Sequence, residues 1–207
     1  MSADEHPNRA PRDAEDAIVM ARICAGDDSA LAVLYDRYAT LALGMALKIV
    51  RDQSEAEDVV HDAFIAVVER VDQFRPERGS LVAWLVTMVR NLALDRSRRR
   101  TRRAQILDDE VRHEPPQPAL DPEQISWIAR ERQAVRAAMS KLSDSQRATL
   151  EIAFFEGLSY PEIAAREGVP LGTIKSRAAR ALASLREALE KEGVSVGTGM
   201  GVGKSSS

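Results

Sequence analysis

The spacing of hydrophobic and polar positions predicts a helical protein. Apolar residues recur every three or four positions along most of the chain, as they do on one face of an amphipathic helix. The predicted helices span residues 14–25, 29–50, 54–71, 81–100, 122–140, 144–156, 160–167 and 170–189. Glycine and proline are few, and aromatic residues make up only 4% of the chain, which also favours helices. We therefore predict an all-α fold.

A change of composition divides the helices into two groups. Residues 104–122 are acidic and rich in proline, which is typical of a linker between domains. We therefore predict two small helical domains, at residues 14–103 and 123–192, and expect the polar residues 1–13 to be disordered. The Gly- and Ser-rich residues 193–207 should form a disordered tail.

The second predicted domain contains a helix-turn-helix pattern. Ser159 and Glu162 have the spacing of a capping box, and Pro161 is tolerated in the first helical turn. Gly168 breaks this short helix, and Pro170 begins a second one. Two helices joined by a tight turn that contains glycine form the helix-turn-helix arrangement.

The second helix of this motif carries the residue types that contact DNA. Its apolar stripe lies opposite a polar face, and Lys175 flanks the stripe. The polar face consists of Thr173, Ser176, Arg177 and Arg180. Arginine can read guanine edges, while hydroxyl and ammonium groups bind bases or phosphates, as in a recognition helix. An ordinary amphipathic helix with a solvated basic face remains the alternative.

The third helix of the first domain has a narrow acidic face opposite a broad apolar stripe. The acidic residues are Glu55, Asp58, Asp62 and Glu69, with His61 and Ile65 beside them. Clustered like charges lower helix stability slightly, so the cluster is either a tolerated solvated face or a docking surface for a basic partner. Metal binding is a weaker third hypothesis, because one helix face cannot surround an ion.

A loop and a basic helix follow. Residues 72–80 form a loop, and Ser80 is the expected N-cap of the fourth helix. That helix begins apolar and ends in an arginine run made up of Arg96, Arg98, Arg99, Arg100, Arg102 and Arg103. Arginines complement the helix dipole at a C-terminus, but six exceed that need, so we favour contact with a polyanion.

Composition excludes several classes of function. The net charge is −3, so nucleic-acid binding must rely on local basic patches. The single cysteine, Cys24, excludes an intramolecular disulfide and is expected to be buried. We find no metal-ligand spacing, nucleophile–base pair or phosphate loop, so we predict a protein that is not an enzyme and needs no cofactor or metal. No apolar run approaches about 20 residues, and no signal-peptide core is present, so we expect a cytoplasmic protein without membrane insertion.

Together these segments resemble the extracytoplasmic-function (ECF) sigma factors of bacterial RNA polymerase, over residues 28–190. In the first domain the resemblance rests on LYDRYATLALGMALKIVRDQSEAEDVVHDAFIAVVERVDQF and GSLVAWLVTMVRNLALDRSRRR. In the second it rests on LSDSQRATLEIAFFEGLSYPEIAAREGVPLGTIKSRAARALASLREAL. The helix-turn-helix alone is also similar to response-regulator domains, so the first-domain strings and the domain order are the specific part.

The resemblance implies partners for the first domain and the linker. The acidic face would dock on the clamp of core RNA polymerase, with contacts from Glu55, Asp58, Val59, His61, Asp62 and Ile65. Asp58 and Asp62 match the acidic positions of the family, whereas His61 stands where the family often has glutamine. The linker would lie in the RNA exit path, the polymerase flap would be a further contact, and an anti-sigma factor would hold the protein inactive.

The resemblance also implies two promoter contacts. The minus-ten element would be opened and bound as a single strand by Phe74, Arg75, Arg78, Trp84, Arg90, Asn91, Arg96, Arg98 and Arg99. Trp84 lies on the apolar stripe, which favours a core position over base stacking. The minus-thirty-five duplex would be read by Tyr160, Pro170, Thr173, Lys175, Ser176, Arg177 and Arg180. The alternative is a stand-alone helix-turn-helix regulator, which would bind duplex DNA tightly without polymerase.

Overall fold

The computed structural model describes residues 10–107 and 133–191, and all regular secondary structure in those ranges is helical. The helices are α1 (Ala10–Cys24), α2 (Asp28–Val50), α3 (Gln53–Glu69), α4 (Leu81–Leu107), α5 (residues 133–140 described), α6 (Asp144–Glu151), α7 (Tyr160–Glu167) and α8 (Leu171–Lys191). This confirms the predicted all-α fold. The chain divides into two compact units, Met1–Leu120 and Asp121–Ser207.

The first unit is built around α2, which packs against α1, α3 and α4. Its core contains large, fully buried side chains, namely Leu34, Tyr38, Leu47, Val59, Val67, Leu81, Leu85 and Val89. By length and composition alone α2 is apolar enough to cross a membrane, a test that the core helix of a folded domain also passes. In this fold, however, its apolar stripe forms the centre of a protein core, which accounts for that hydropathy.

A buried carboxylate attaches α1 to α2. Asp16 of α1 accepts hydrogen bonds from the Tyr38 hydroxyl at 2.5 Å and from Arg37 Nη1 at 2.6 Å. Burial lowers the pKa of Arg37, but the hydrogen bond and charge of Asp16 outweigh it, so the net shift is upward.

The expectation of disorder in residues 1–13 is wrong for residues 10–13, which are helical, whereas residues 1–9 lie outside the described residues.

One expectation about an α1 side chain is also wrong. Val19, Met20 and Ile23 form its buried face, whereas Ile18 is 62% exposed. Cys24 is the last residue of α1 and is exposed rather than buried. The reason is geometric, because successive helical residues point about 100° apart and only one stripe of α1 can meet α2.

Local capping determines where α2 and α3 begin. The Asp27 side chain accepts a hydrogen bond from the Ser29 amide at 3.0 Å, and Asp52 does the same for the Glu55 amide at 2.9 Å. Arg51 adopts the left-handed conformation, with φ of 57°, at the C-cap of α2. After α3, two 3₁₀ turns, Val71–Gln73 and Pro76–Arg78, occupy the predicted loop. Ser80 Oγ then accepts from the Ala83 amide at 3.3 Å, as expected for an N-cap of α4.

The described residues of the second unit bury fewer large side chains than those of the first. One cluster contains Ala134, Ala138, Ala188 and Leu189, and the other contains Ala153, Ile163, Ala164 and Ile174. Between α6 and α7 the chain forms a π-helical turn, Ile152–Glu156. The predicted capping box of α7 is present, since the Ser159 amide donates to Glu162 Oε2 at 2.7 Å.

Some predicted boundaries differ from the structure or lie outside it. Residues 104–107, which we assigned to the linker, continue α4, while residues 108–122 lie outside the described residues. Of the predicted helix at 122–140, the described residues 133–140 are helical. The predicted tail at residues 193–207 also lies outside the described residues.

Candidate functional site

The exposed face of α3 presents carboxylates to solvent. Asp58 and Asp62 are exposed on successive turns, and Glu55 is half-buried one turn earlier. His61 and Ile65 are exposed beside them. Val59 is different, because only 1% of its surface is exposed. Its predicted direct role in docking is therefore corrected, since Val59 is part of the core beneath this face.

One arginine of α4 lies on this acidic face. The Arg96 guanidinium contacts Glu55 through Nε, Asp58 Oδ2 through Nη2 at 2.5 Å, and Asp62 Oδ2 through Nη1 at 3.7 Å. The hydrogen bond that Arg96 donates to Glu55 and the charges of the three carboxylates raise the pKa of Arg96. We expected Arg96 among the minus-ten contacts, but in this fold its charged group is directed at the carboxylates of α3.

An aromatic pair lies where the loop meets the start of α4. The Phe74 and Trp84 rings are 5.6 Å apart between centroids and tilted by 52°, and both side chains are half-buried. Trp84 is thus neither fully in the core nor fully exposed. Arg75 donates to the backbone carbonyl oxygens of Asp72 and Phe74, which orders this loop, and Arg78 is exposed.

The outward face of α4 is cationic. Burial lowers the pKa of the half-buried Arg90, and the charge of Arg98 adds to that effect. Arg90 Nη1 also donates to Asn91 Oδ1 at 3.3 Å. Arg98, Arg99 and Arg100 are exposed further along the helix, and Arg99 pairs with Asp95 at 2.7 Å. Clustered guanidinium groups of this kind bind a phosphate backbone.

The helix-turn-helix of the second unit presents a second polar face. Lys175, Ser176 and Arg180 are exposed on α8, and Thr173 is half-buried. Arg180 folds back along its helix, donating from Nε to the Ser176 carbonyl at 3.2 Å. This face has the hydroxyl and cationic groups that a recognition helix needs.

The remaining residues of the predicted duplex-reading set lie nearer the turn. Arg177 Nη1 forms an ion pair with Glu167 Oε2 at 2.7 Å, and both side chains are half-buried. Tyr160 packs against the core cluster around Ile163, and burial raises its pKa. Pro170 is exposed just before α8 begins. The structure therefore places Arg177 and Tyr160 in contacts within the motif.

Two contacts were not foreseen from the sequence. Arg96 and Glu55 are 41 positions apart, so no local spacing rule could bring them together. Arg177 and Glu167 are ten positions apart across a turn, and only the observed turn geometry shows that they meet. Within the parts of the chain that the structure describes, no group of three or more His, Cys, Asp or Glu side chains could hold a metal ion.

Comparisons with known proteins identify the family. The sequence-family model of Sigma-70 region 2 matches residues 34–103, and that of Sigma-70 region 4 matches residues 132–185. The ECF RNA polymerase sigma factor SigK of Mycobacterium tuberculosis is 33% identical over 184 residues, covering 87% of this chain and 97% of that protein. The chain belongs to the ECF family of RNA polymerase sigma factors. The predicted resemblance is thereby confirmed.

Other relatives match this sequence along nearly their whole length. SigK of Mycobacterium sp. strain KMS is 32% identical over 191 residues, covering 91% of this sigma factor and 98% of that one. Rhodobacter sphaeroides SigE, solved in complex with the anti-sigma ChrR, is 31% identical, covering 83% of this chain and 96% of SigE, with a TM-score of 0.42. Sigma factors act in transcription initiation and are not a class of enzyme.

Proposed function

We propose that this sigma factor binds core RNA polymerase through the exposed face of α3. Asp58 and Asp62 supply exposed negative charge, and His61 and Ile65 add polar and apolar area beside it. The expected partner is a basic surface, which the polymerase clamp would provide. Val59 supports the docking face by packing in the core beneath it, and Glu55 forms an ion pair with Arg96 at its edge.

The second part of the proposal is that the start and outward face of α4 engage melted minus-ten DNA. A separated strand needs aromatic surfaces for unpaired bases and cations for its phosphates. The half-buried Phe74–Trp84 pair offers the first, and the exposed arginines of α4 offer the second. The cationic residues of this surface are Arg75, Arg78, Arg90, Arg98 and Arg99, with Asn91 between them.

The third part is that α8 enters the major groove of the minus-thirty-five duplex. Lys175, Ser176 and Arg180 are its exposed candidates for base and phosphate contacts, with Thr173 at the edge. Two weak binding modules in one chain gain avidity only when their sites lie at a compatible spacing. A promoter with two spaced elements satisfies that condition, and a net charge of −3 limits binding to other DNA.

Control by an anti-sigma factor completes the proposal. Rhodobacter sphaeroides SigE was solved with such a partner, and Bartonella quintana RpoE was solved with the anti-sigma factor NepR. We expect an analogous partner here, in the cytoplasm where RNA polymerase acts. A contact between the second unit and the polymerase flap belongs to the same proposal.

The observation that carries the proposal is the pairing of surfaces within one chain. An acidic face and an arginine-rich helix share the first unit, and a helix-turn-helix lies in the second. A regulator that binds duplex DNA alone would not need the acidic face. The two units together therefore fit a factor that joins polymerase to promoter DNA.

Transcription in vitro tests this function directly. Core RNA polymerase is incubated with fragmented genomic DNA, with and without this protein, and transcript starts are mapped. We expect new transcripts from discrete start sites, and those starts would also supply the promoter sequence. No new transcripts together with no polymerase binding would contradict the proposal and favour a stand-alone regulator.

A further inference from the structure

The ion pair between Arg177 and Glu167 gives Arg177 a place that differs from its neighbours on α8. Their charged atoms are 2.7 Å apart, and their side chains are only 22% and 26% exposed, respectively. Lys175, Ser176 and Arg180 on the same helix are exposed. Arg177 is therefore the arginine of this face that is most enclosed by protein.

The pair connects the two helices of the motif. Glu167 is the last residue of α7, and Arg177 lies in the second turn of α8. Only three residues join the helices, and the first, Gly168, has φ of 66°. Ile163 and Ile174 pack between the helices in the same small core cluster. The ion pair therefore adds a polar contact beside a thin apolar interface.

Partial burial gives this contact more influence than an exposed pair has. A half-buried guanidinium loses hydration, and removing its carboxylate leaves that loss uncompensated. Because the described residues of this unit bury few large side chains, such a contact can affect the angle between α7 and α8. An arginine engaged in this way directs its guanidinium towards α7 rather than along the outward face of α8.

We propose that Arg177 is a positioning residue that holds the recognition helix against α7 through Glu167. It acts through this pair, and the base contacts come from the exposed residues of α8. The proposal rests on the proposed function, because it assumes that α8 binds the minus-thirty-five duplex. It reassigns Arg177, which the sequence placed among the DNA-reading residues.

Whether removing the Glu167 carboxylate weakens or strengthens DNA binding distinguishes positioning from simple electrostatics. Glu167 is a negative charge near a surface proposed to meet phosphates, so its removal should strengthen DNA binding by Coulomb attraction alone. If Glu167 positions α8 through Arg177, its removal should instead weaken binding. A double-mutant cycle should then show that Glu167 and Arg177 act as one unit.

The experiment measures holoenzyme affinity for a duplex taken from upstream of a start site mapped by transcription. The variants are Glu167→Ala, Arg177→Ala, the double substitution and Arg177→Lys. We expect each single alanine variant to weaken binding roughly 3- to 10-fold, with no further loss in the double variant. Arg177→Lys should recover part of the affinity, and preferences at each base pair should be unchanged.

The chain offers a matched control pair. Arg166 and Glu156 also lie ten positions apart and form an ion pair, but their side chains are 46% and 47% exposed. Glu156→Ala should therefore leave DNA affinity unchanged or slightly raised, since exposed ion pairs contribute little to stability. Thermal unfolding of each variant, monitored by circular dichroism, would identify any variant that fails to fold. If Arg177→Ala fails to fold, the DNA affinity of Arg177→Lys is compared with that of the unaltered protein instead.

Two results would overturn the positioning role of Arg177, and a third would overturn the proposed binding of α8 to the duplex. Stronger or unchanged binding by Glu167→Ala would contradict positioning, provided that Lys175→Ala and Arg180→Ala weaken binding. Relaxed preference at a single base pair in Arg177→Ala, without the same change in Glu167→Ala, would make Arg177 a DNA-reading residue. If Lys175→Ala and Arg180→Ala also leave affinity unchanged, the proposed role of α8 fails instead.

Discussion

Each unit has an arginine that forms ion pairs with another helix, but the two contacts differ in what they join. In the first unit, Arg96 is shared among three carboxylates of a different helix, α3. In the second, Arg177 meets a single carboxylate across a short turn. The Arg96 contact joins the proposed docking surface to the proposed DNA surface, whereas the Arg177 contact lies within the helix-turn-helix. An arginine on a basic face is therefore not by itself a DNA contact.

The cores of the two units differ as well. The first buries Tyr38, Leu34, Leu47 and several other large side chains around α2. In the described part of the second, two buried clusters consist of alanine, leucine and isoleucine. We therefore expect individual caps and ion pairs to be a larger share of the stability of the second unit.

The strongest test of the first unit reverses the charge of its acidic face. Asp58→Arg together with Asp62→Arg should abolish binding to core polymerase, because exposed carboxylates would become cations facing a basic partner. Both residues are exposed, but the change also removes their contacts with Arg96, so circular dichroism of the double variant must show that the fold survives. Co-purification with polymerase measures the effect. The single variants Asp58→Arg and Asp62→Arg are each compared with Glu57→Arg, which makes an equal charge change on the same helix. Unchanged co-purification of the double variant would contradict the docking assignment.

A core substitution should separate the two units. Ile174 is fully buried between α7 and α8, so Ile174→Ala should destabilise the second unit by about 2–4 kcal/mol. Amide hydrogen exchange should then accelerate in α7 and α8 while α2 keeps its protection. Val135→Ala, at a 44% exposed position of α5, is the control. Equal acceleration in both units would show that they do not unfold independently.

Substitutions in α4 sharpen the contrast between Arg96 and its neighbours. Changing Arg98, Arg99 and Arg100 to alanine should weaken promoter binding and reduce the salt slope by about one for each lost phosphate contact. Arg96→Ala should leave that slope unchanged, because its guanidinium is engaged by α3. Holoenzyme–promoter affinity at several salt concentrations measures both. An equal fall in slope for Arg96→Ala would return Arg96 to the DNA-contact set.

A smaller effect is expected at the caps of the second unit. Ser159→Ala removes part of the α7 capping box and should cost about 1 kcal/mol of stability. Ser143→Ala breaks the equivalent box of α6 and should cost a similar amount. Thermal melting measures both, and only Ser159→Ala should also weaken promoter binding. Equal promoter defects would show that α7 has no special role.

The smallest effect concerns pH and the N-cap of α2. Hydrogen bonds from Ser29 and Arg22 lower the pKa of Asp27 from 3.8 to about 2. Because the folded pKa is lowered, its stabilising contribution is present above about pH 4 and is lost as the pH falls towards 2. Nuclear magnetic resonance titration of the Asp27 carboxyl should show this midpoint, and Ser29→Ala should raise it. A midpoint near 4 in the unaltered protein would contradict the capping geometry.

Local rules explain the parts of the fold that the sequence predicted well. Periodicity and capping residues placed the starts of α2, α3 and α7 within one residue, since caps act over only a few positions. The exposure of Asp58, His61 and Asp62 followed from helical geometry alone. The burial of Val59 follows from the same geometry, and it was placed in the docking set only by family resemblance.

The remaining features depend on contacts between distant residues. The approach of Arg96 to Glu55 requires α3 and α4 to pack together, which no local pattern encodes. The exposure of Cys24 depends on which stripe of α1 packs against α2, namely the one that contains Val19, Met20 and Ile23. The extension of α4 to Leu107 shows that a run of arginines can remain helical beyond the core, since arginine is itself a good helix former.

Strand opening is the most direct test of the central claim that docking and promoter recognition lie in one chain. Permanganate reactivity of thymines would be measured at a promoter mapped by transcription, with polymerase and protein added together and separately. Reactive thymines near minus ten should require both, and should disappear with the Asp58→Arg, Asp62→Arg variant. Opening without polymerase, or full opening by that variant, would contradict the account.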